Sequence, residues 1–157
     1  MRLVLEELIA APRTTVFAVF TDLERAPERI EGITGLEVLG GGAVGAGTRF
    51  RETRTMFGKE AVEEMEITGF EAPLRYTVEG ESCGARFLTE YRFAEDGPGT
   101  RVTMTMTTRN ETLFAKVLGP LMGLMMGRAM KRAMAKDHAS LGRAAEALAA
   151  EATGTGA

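Results

Sequence analysis

"TRFRETRTMFGKEAVEEMEI", residues 48–67, reads as two strands joined at Phe57-Gly58. Setting Met56 opposite Lys59 fixes every pair outward from the turn. Side chains alternate between the faces of a strand, so the residues separate into two sets. One face places Arg49 opposite Glu66, Arg51 opposite Glu64 and Thr55 opposite Glu60. Two successive opposite-charge pairs belong on a solvated face, each contributing about 0.2–1 kcal/mol. The other face places Phe50 opposite Met65, Thr48 opposite Ile67, Arg54 opposite Ala61 and Glu52 opposite Glu63. A slip of one residue would mix the two sets, so the pattern specifies the register.

Upstream, "GLEVLGGGAVGAGTRF" (35–50) contains Gly40-x-Gly42-x-x-Gly45, the spacing of a dinucleotide-binding turn. Such a turn needs a helix after the third glycine, whose N-terminus faces the pyrophosphate. Here the next segment alternates like a strand and pairs with the one after it, so the glycines are read as a loose connection between strands. Turn signals recur every ten or so residues as far as position 109 and predict strands at about 33–40, 47–56, 59–69, 74–82, 85–94 and 100–109. Before them, "RLVLEELIA" reads as a strand, Pro12 as a helix start and Asp22 as the cap of a second short helix over 23–30. After them comes a long helix, with Gly119-Pro120 expected to break or kink it. Leu121, Met125, Met130, Met134, Leu141 and Leu148 share roughly one of its sides. The layout is α+β: a curved antiparallel sheet of about seven strands around a C-terminal helix, with two short helices after the first strand. Residues 1–150 are expected to form one domain, with 151–157 a frayed tail.

Composition narrows the function. The 157 residues are 45% hydrophobic and 26% charged with a net charge of −3. No dense basic tract appears, so nucleic acid is not an expected partner. The most apolar segment, "LFAKVLGPLMGLMMG", is interrupted by Lys116 and Gly119-Pro120 and falls short of a membrane span, so no stable membrane insertion is expected. The N-terminus lacks a signal-peptide pattern, and the single cysteine, Cys83, excludes an internal disulfide. A cytoplasmic location is expected.

The chain resembles the START-like, helix-grip superfamily (Bet v 1-like), and within it the small bacterial SRPBCC proteins of polyketide cyclase/dehydrase type. The resemblance rests on "IAAPRTTVFAVFTDLERAPE", "VGAGTRFRETRTMFGKE" and the terminal "DHASLGRAAEAL", and it covers nearly the whole chain. Relatives often carry Trp shortly after the proline of the second helix, where this chain reads Pro27-Glu28-Arg29-Ile30. The resemblance implies an apolar cavity between sheet and helix. It also implies a lipid, polyketide or aromatic ligand, no cofactor and, in some members, cyclase or dehydratase chemistry. The alternative is a protein-interaction module without catalysis; either would be a monomer or homodimer.

Strand alternation predicts which residues face that cavity: Phe50, Met65, Tyr76, Phe87, Thr89, Tyr91, Met104 and Met106, with Met122, Met125 and Met126 from the helix. Leu74, Val78, Phe93 and Val102 are expected on the same face. Met side chains adapt to irregular shapes, which suits a permissive pocket, although core filling is their commoner use. For any reaction the candidates are Glu52, Glu63 and Arg54, assisted by Tyr76 or Tyr91. Facing carboxylates raise each other's pKa, and a nearby Arg offsets this. The commoner reading of such a cluster is a solvated ion group at the pocket mouth that does no chemistry. His138, the only histidine, has no nearby Cys or His with zinc-ligand spacing and is expected at an exposed or helix-flanking position, a lone proton-transfer group being the alternative. Cys83, in a predicted turn, is read as a plain thiol.

Overall fold

The computed structural model describes the backbone of residues 1–56, 58–82, 85–110 and 113–154, and their side chains except at 56 and 110–126. β1 (Arg2–Ile9) leads into α1 (Arg13–Thr21), a 3₁₀ turn (Leu23–Arg25) and α2 (Ala26–Arg29). The meander follows: β2 (Ile33–Leu39), β3 (Arg49–Met56), β4 (Lys59–Glu71), β5 (Arg75–Ser82), β6 (Ala85–Asp96) and β7 (Gly99–Asn110). The chain closes with α3 (Leu113–Gly154). The seven strands form one curved antiparallel sheet in the order β1-β7-β6-β5-β4-β3-β2, with β1 returning to pair β7.

The β3–β4 register is the one the charges predict, from Arg49 opposite Glu66 to Met56 opposite Lys59. Glu52 faces Glu63 across it. Of the outer charges, Arg49 reaches diagonally to Glu64, while Arg51 pairs with its direct partners, Glu64 at 3.4 Å and Glu37 on β2 at 3.3 Å. Long side chains span the diagonal as readily as the direct pair. Register shifts at Ile33/Gly35 and Ile67/Gly69 mark irregularities that bend the sheet.

The β2–β3 connection has positive φ at Gly40, Gly41, Gly42 and Gly47 and delivers the chain into β3, with no helix to receive a pyrophosphate. Glycine adopts these angles without steric cost.

α1 buries Val16, Phe17, Val19 and Phe20 against the sheet. Phe17 meets Phe70, Tyr76 and Phe93 edge-on at 5.2–6.1 Å between ring centres. Such pairs add about 0.5–1.5 kcal/mol each beyond area burial. Leu141 and Ala145 of α3 join this core, and Glu146 accepts a hydrogen bond from the Ala10 amide at 2.9 Å. A smaller cluster of Leu3, Leu5, Met104 and Met106 lies at the β1–β7 end, with Phe87, Tyr91 and Met134 packed on it.

Four expectations are corrected. α3 continues through Gly119-Pro120 as one helix. Asp22 makes no capping hydrogen bond; its carboxylate instead pairs with Arg29 at 3.0 Å. Leu74 is exposed, because it lies in the β4–β5 turn, before β5 begins. His138 is buried, 4% exposed, because α3 turns position 138 towards the sheet together with Met134 and Leu141.

Candidate functional site

Between the concave sheet and α3 lies a cavity of about 230 Å³. β3 and β4 contribute Phe50, Glu52, Arg54, Glu63 and Met65, and β5 contributes Tyr76 and Val78. Phe87, Thr89 and Tyr91 come from β6, and Met104 and Met106 from β7. The short helices and β2 supply Phe20, Ile30 and Leu36; α3 supplies Met130, Ala133, Met134, Asp137, His138 and Leu141. Met122, Met125 and Met126 belong to α3, but their side chains lie outside the described residues, as does Cys83.

Alternation along the strands brings these groups to one face. Met65, Gly80 and Phe87 form a row across β4, β5 and β6. A methyl group on Gly80 would stand 2.6 Å from the Phe87 ring and 2.9 Å from Met65, so the glycine lets both lean into the wall. Where relatives carry Trp, Arg29 folds back onto the Val19 carbonyl at 3.1 Å and Ile30 takes a place in the lining.

The polar part of the cavity is built around Arg54. Its Nε donates to Glu52 at 2.8 Å and its Nη1 to Asp137 at 2.6 Å, tying β3 to α3. Burial, the largest influence, pushes the Glu52 carboxyl above its ordinary value; Arg54 acts against this, and Glu63 and Asp137 add to it. Burial alone would lower the Arg54 pKa, but the two carboxylates more than compensate and hold it firmly charged. Glu63 lines the cavity across the strand pair from Glu52.

The aromatic wall adjoins this cluster. Tyr76 and Tyr91 stack at 4.6 Å with planes 10° apart. The Tyr76 hydroxyl donates to the Phe20 carbonyl at 3.4 Å. Burial raises both phenol pKa values; after it, Tyr91 acts on Tyr76 and Glu52 acts on Tyr91. His138 lies 5.6 Å from the ring centres of both Phe20 and Tyr91. Burial pushes its pKa down to about 4, so the imidazole is neutral at pH 7.

Asp137 and His138 were not among the residues expected to line the cavity. Their signal is the helical spacing Met130, Met134, Leu141, Ala145, which places positions 137 and 138 on the same side. Among the described residues no group of His, Cys, Asp or Glu is arranged to hold a metal ion, and no helix is long and apolar enough to cross a membrane.

A family model described as polyketide cyclase / dehydrase and lipid transport matches residues 2–146. The chain belongs to that family. The START-like likeness read from the sequence agrees with it, and solved structures share the fold. The Zhui aromatase/cyclase from a Streptomyces species superposes with a TM-score of 0.74 at 18% identity, over 93% of each chain. A START superfamily protein from Mycobacterium smegmatis gives 0.68 at 15% identity, over 96% of this chain and 97% of the other. A Thermus thermophilus protein gives 0.66 at 26% identity, over 92% and 99%. No curated protein matches the sequence. These solved structures share the fold of this chain.

Proposed function

We propose that this protein binds a small hydrophobic ligand of lipid, polyketide or aromatic type in the cavity between its sheet and α3. The observation that carries the reading is an apolar cavity whose polar groups gather around Arg54. Apolar walls with a few convergent polar groups are the usual form of a small-molecule site. Phe50, Met65, Phe87, Thr89, Met104 and Met106 supply the shape, and Tyr76 and Tyr91 a flat stacking wall. Among the described residues the exposed large apolar side chains, such as Val4, Val62, Leu74 and Leu88, are spread over β1, β4, the β4–β5 turn and β6. That distribution favours a binder over a protein-interaction module, which would gather them into a patch.

The same geometry suits acid–base work on a bound chain. Glu52, with its raised pKa, exchanges a proton closer to neutrality than an exposed carboxyl, and Glu63 and Arg54 are its partners in the wall. In cyclase or dehydratase chemistry the protein mainly holds a reactive chain in one shape and moves protons. Native mass spectrometry after incubation with lipids and polycyclic aromatics tests the binding: a one-to-one adduct is expected, and no adduct with either class would overturn the reading. Once a ligand is known, Glu52→Gln and Glu63→Gln test the chemistry; unchanged turnover and affinity would remove both residues from it.

A further inference from the structure

His138 is a buried polar residue of the cavity that the Arg54 cluster does not use. It is 4% exposed and lines the cavity, and neither ring nitrogen has a hydrogen-bond partner. Burial keeps the ring neutral, so it offers one N–H donor and one nitrogen acceptor. A buried donor or acceptor left unpaired costs about 1–3 kcal/mol. Phe20 meets the ring edge-on and Tyr91 lies against it at a tilt of 32°, while the residue lines the cavity, so a ligand there can pair with the imidazole once the ring turns one of its covered nitrogens inward.

The charges of the lining restrict what that partner is. Arg54 is the only Lys or Arg among the described lining residues; its Nε and Nη1 donate to Glu52 and Asp137, and Glu63 lines the cavity opposite Glu52. The fourth lining carboxylate, Asp22, is paired with Arg29. A ligand carboxylate would enter a site with more negative than positive groups and no free cation, at an electrostatic cost raised by the low dielectric of the cavity. A neutral hydroxyl meets no such penalty. It can donate to one imidazole nitrogen or accept from the other.

We propose that His138 is a recognition residue for an uncharged hydroxyl on the ligand, and that the cavity selects neutral hydroxylated apolar molecules, phenols in particular, over carboxylate amphiphiles. This rests on the cavity being a ligand site. The flat Tyr76–Tyr91 stack beside the imidazole matches a ligand whose hydroxyl sits on an aromatic ring.

A matched series separates this proposal from its premise. Naphthalene, β-naphthol and β-naphthoate share one apolar body and differ in the polar group. Titrated against the full chain, β-naphthol is expected to bind about tenfold more tightly than naphthalene, the worth of one hydrogen bond to an otherwise unpaired group. β-Naphthoate is expected to bind weakest. In His138→Phe the preference for naphthol over naphthalene disappears while naphthalene binding persists. As the chain has a single histidine, the imidazole ¹⁵N signals of the wild type report the contact directly. They are expected to move with naphthol and stay with naphthalene. Equal affinity for naphthol and naphthalene, with still ¹⁵N signals, would overturn the role of His138 and leave the cavity reading standing. Tightest binding of naphthoate would overturn the charge selection. Binding of none of the three would overturn the cavity reading itself.

Discussion

The two faces of the β3–β4 hairpin carry the same residue types and do different things with them. On the outer face Arg49, Arg51 and Glu64 pair in solvent, with side chains 37–59% exposed. On the inner face Arg54, Glu52 and Asp137 pair with side chains only 14–22% exposed. Water screens the first set, so Glu64 is shared between its direct partner Arg51 and the diagonal Arg49. The second set has lost much of its hydration and depends on its partners. What separates a solubilising face from a chemically tuned one is therefore desolvation, set by the two-residue period of the strand, and not the identity of the charges.

The largest expected effect comes from breaking the inner cluster. Arg54→Met leaves Glu52 and Asp137 without their shared cation in a half-dry site. Such a change is expected to cost about 2–4 kcal/mol in urea unfolding at pH 7. A cost below about 0.5 kcal/mol would show that the inner charges behave as surface ones.

Next comes the acid response of His138. Its folded pKa is pushed down to about 4 from an ordinary value of 6.5, so between these values the unfolded chain takes up a proton that the folded one refuses. Stability contributed by the neutral ring is complete above pH 6.5 and is lost as the pH falls towards 4, by up to about 3 kcal/mol. Glu52 acts in the opposite sense, since its raised pKa makes the folded form the better proton acceptor above its ordinary 4.5. Comparing the wild type with His138→Phe cancels that contribution. The stability of the wild type relative to the variant should fall between pH 7 and pH 4; a constant difference would contradict a buried neutral imidazole.

A smaller effect is expected at Gly80, on the inner face. Gly80→Ala meets the tip of the Phe87 ring and the Met65 Cγ, and both side chains must shift. The expected cost is about 1 kcal/mol, with weaker binding of bulky ligands. Unchanged ligand affinity would show that this row does not shape the cavity. The smallest effect belongs to the outer face: Arg49→Ala is expected to cost less than about 0.5 kcal/mol, a cost that salt erases.

The hairpin also shows how far the sequence could be read. Alternating charges specify the β3–β4 register because a slip of one residue would invert both faces, and the inner positions of β5 to β7 follow from the same period. Asp137 escapes that logic. It meets Arg54 across 83 residues of chain, a contact that neither strand period nor helix period states alone. His138 was misassigned because its neighbours Lys136 and Asp137 suggest a wet helix face. The spacing of Met134 and Leu141 around it argued for burial, and burial is what the fold imposes. Asp22 likewise has a capping residue's chemistry, yet the nearby Arg29 guanidinium claims its carboxylate.

The central claim, that the cavity holds an apolar ligand, is tested most directly by titrating the chain with the neutral fluorophore N-phenyl-naphthylamine, in the wild type and in Ala133→Trp. Ala133 lines the cavity from α3, and an indole there occupies its space. Saturable one-to-one binding in the wild type, lost in a variant that keeps its circular dichroism spectrum, is the predicted result. Absence of saturable binding in the wild type, or undiminished binding in the folded variant, would contradict the account.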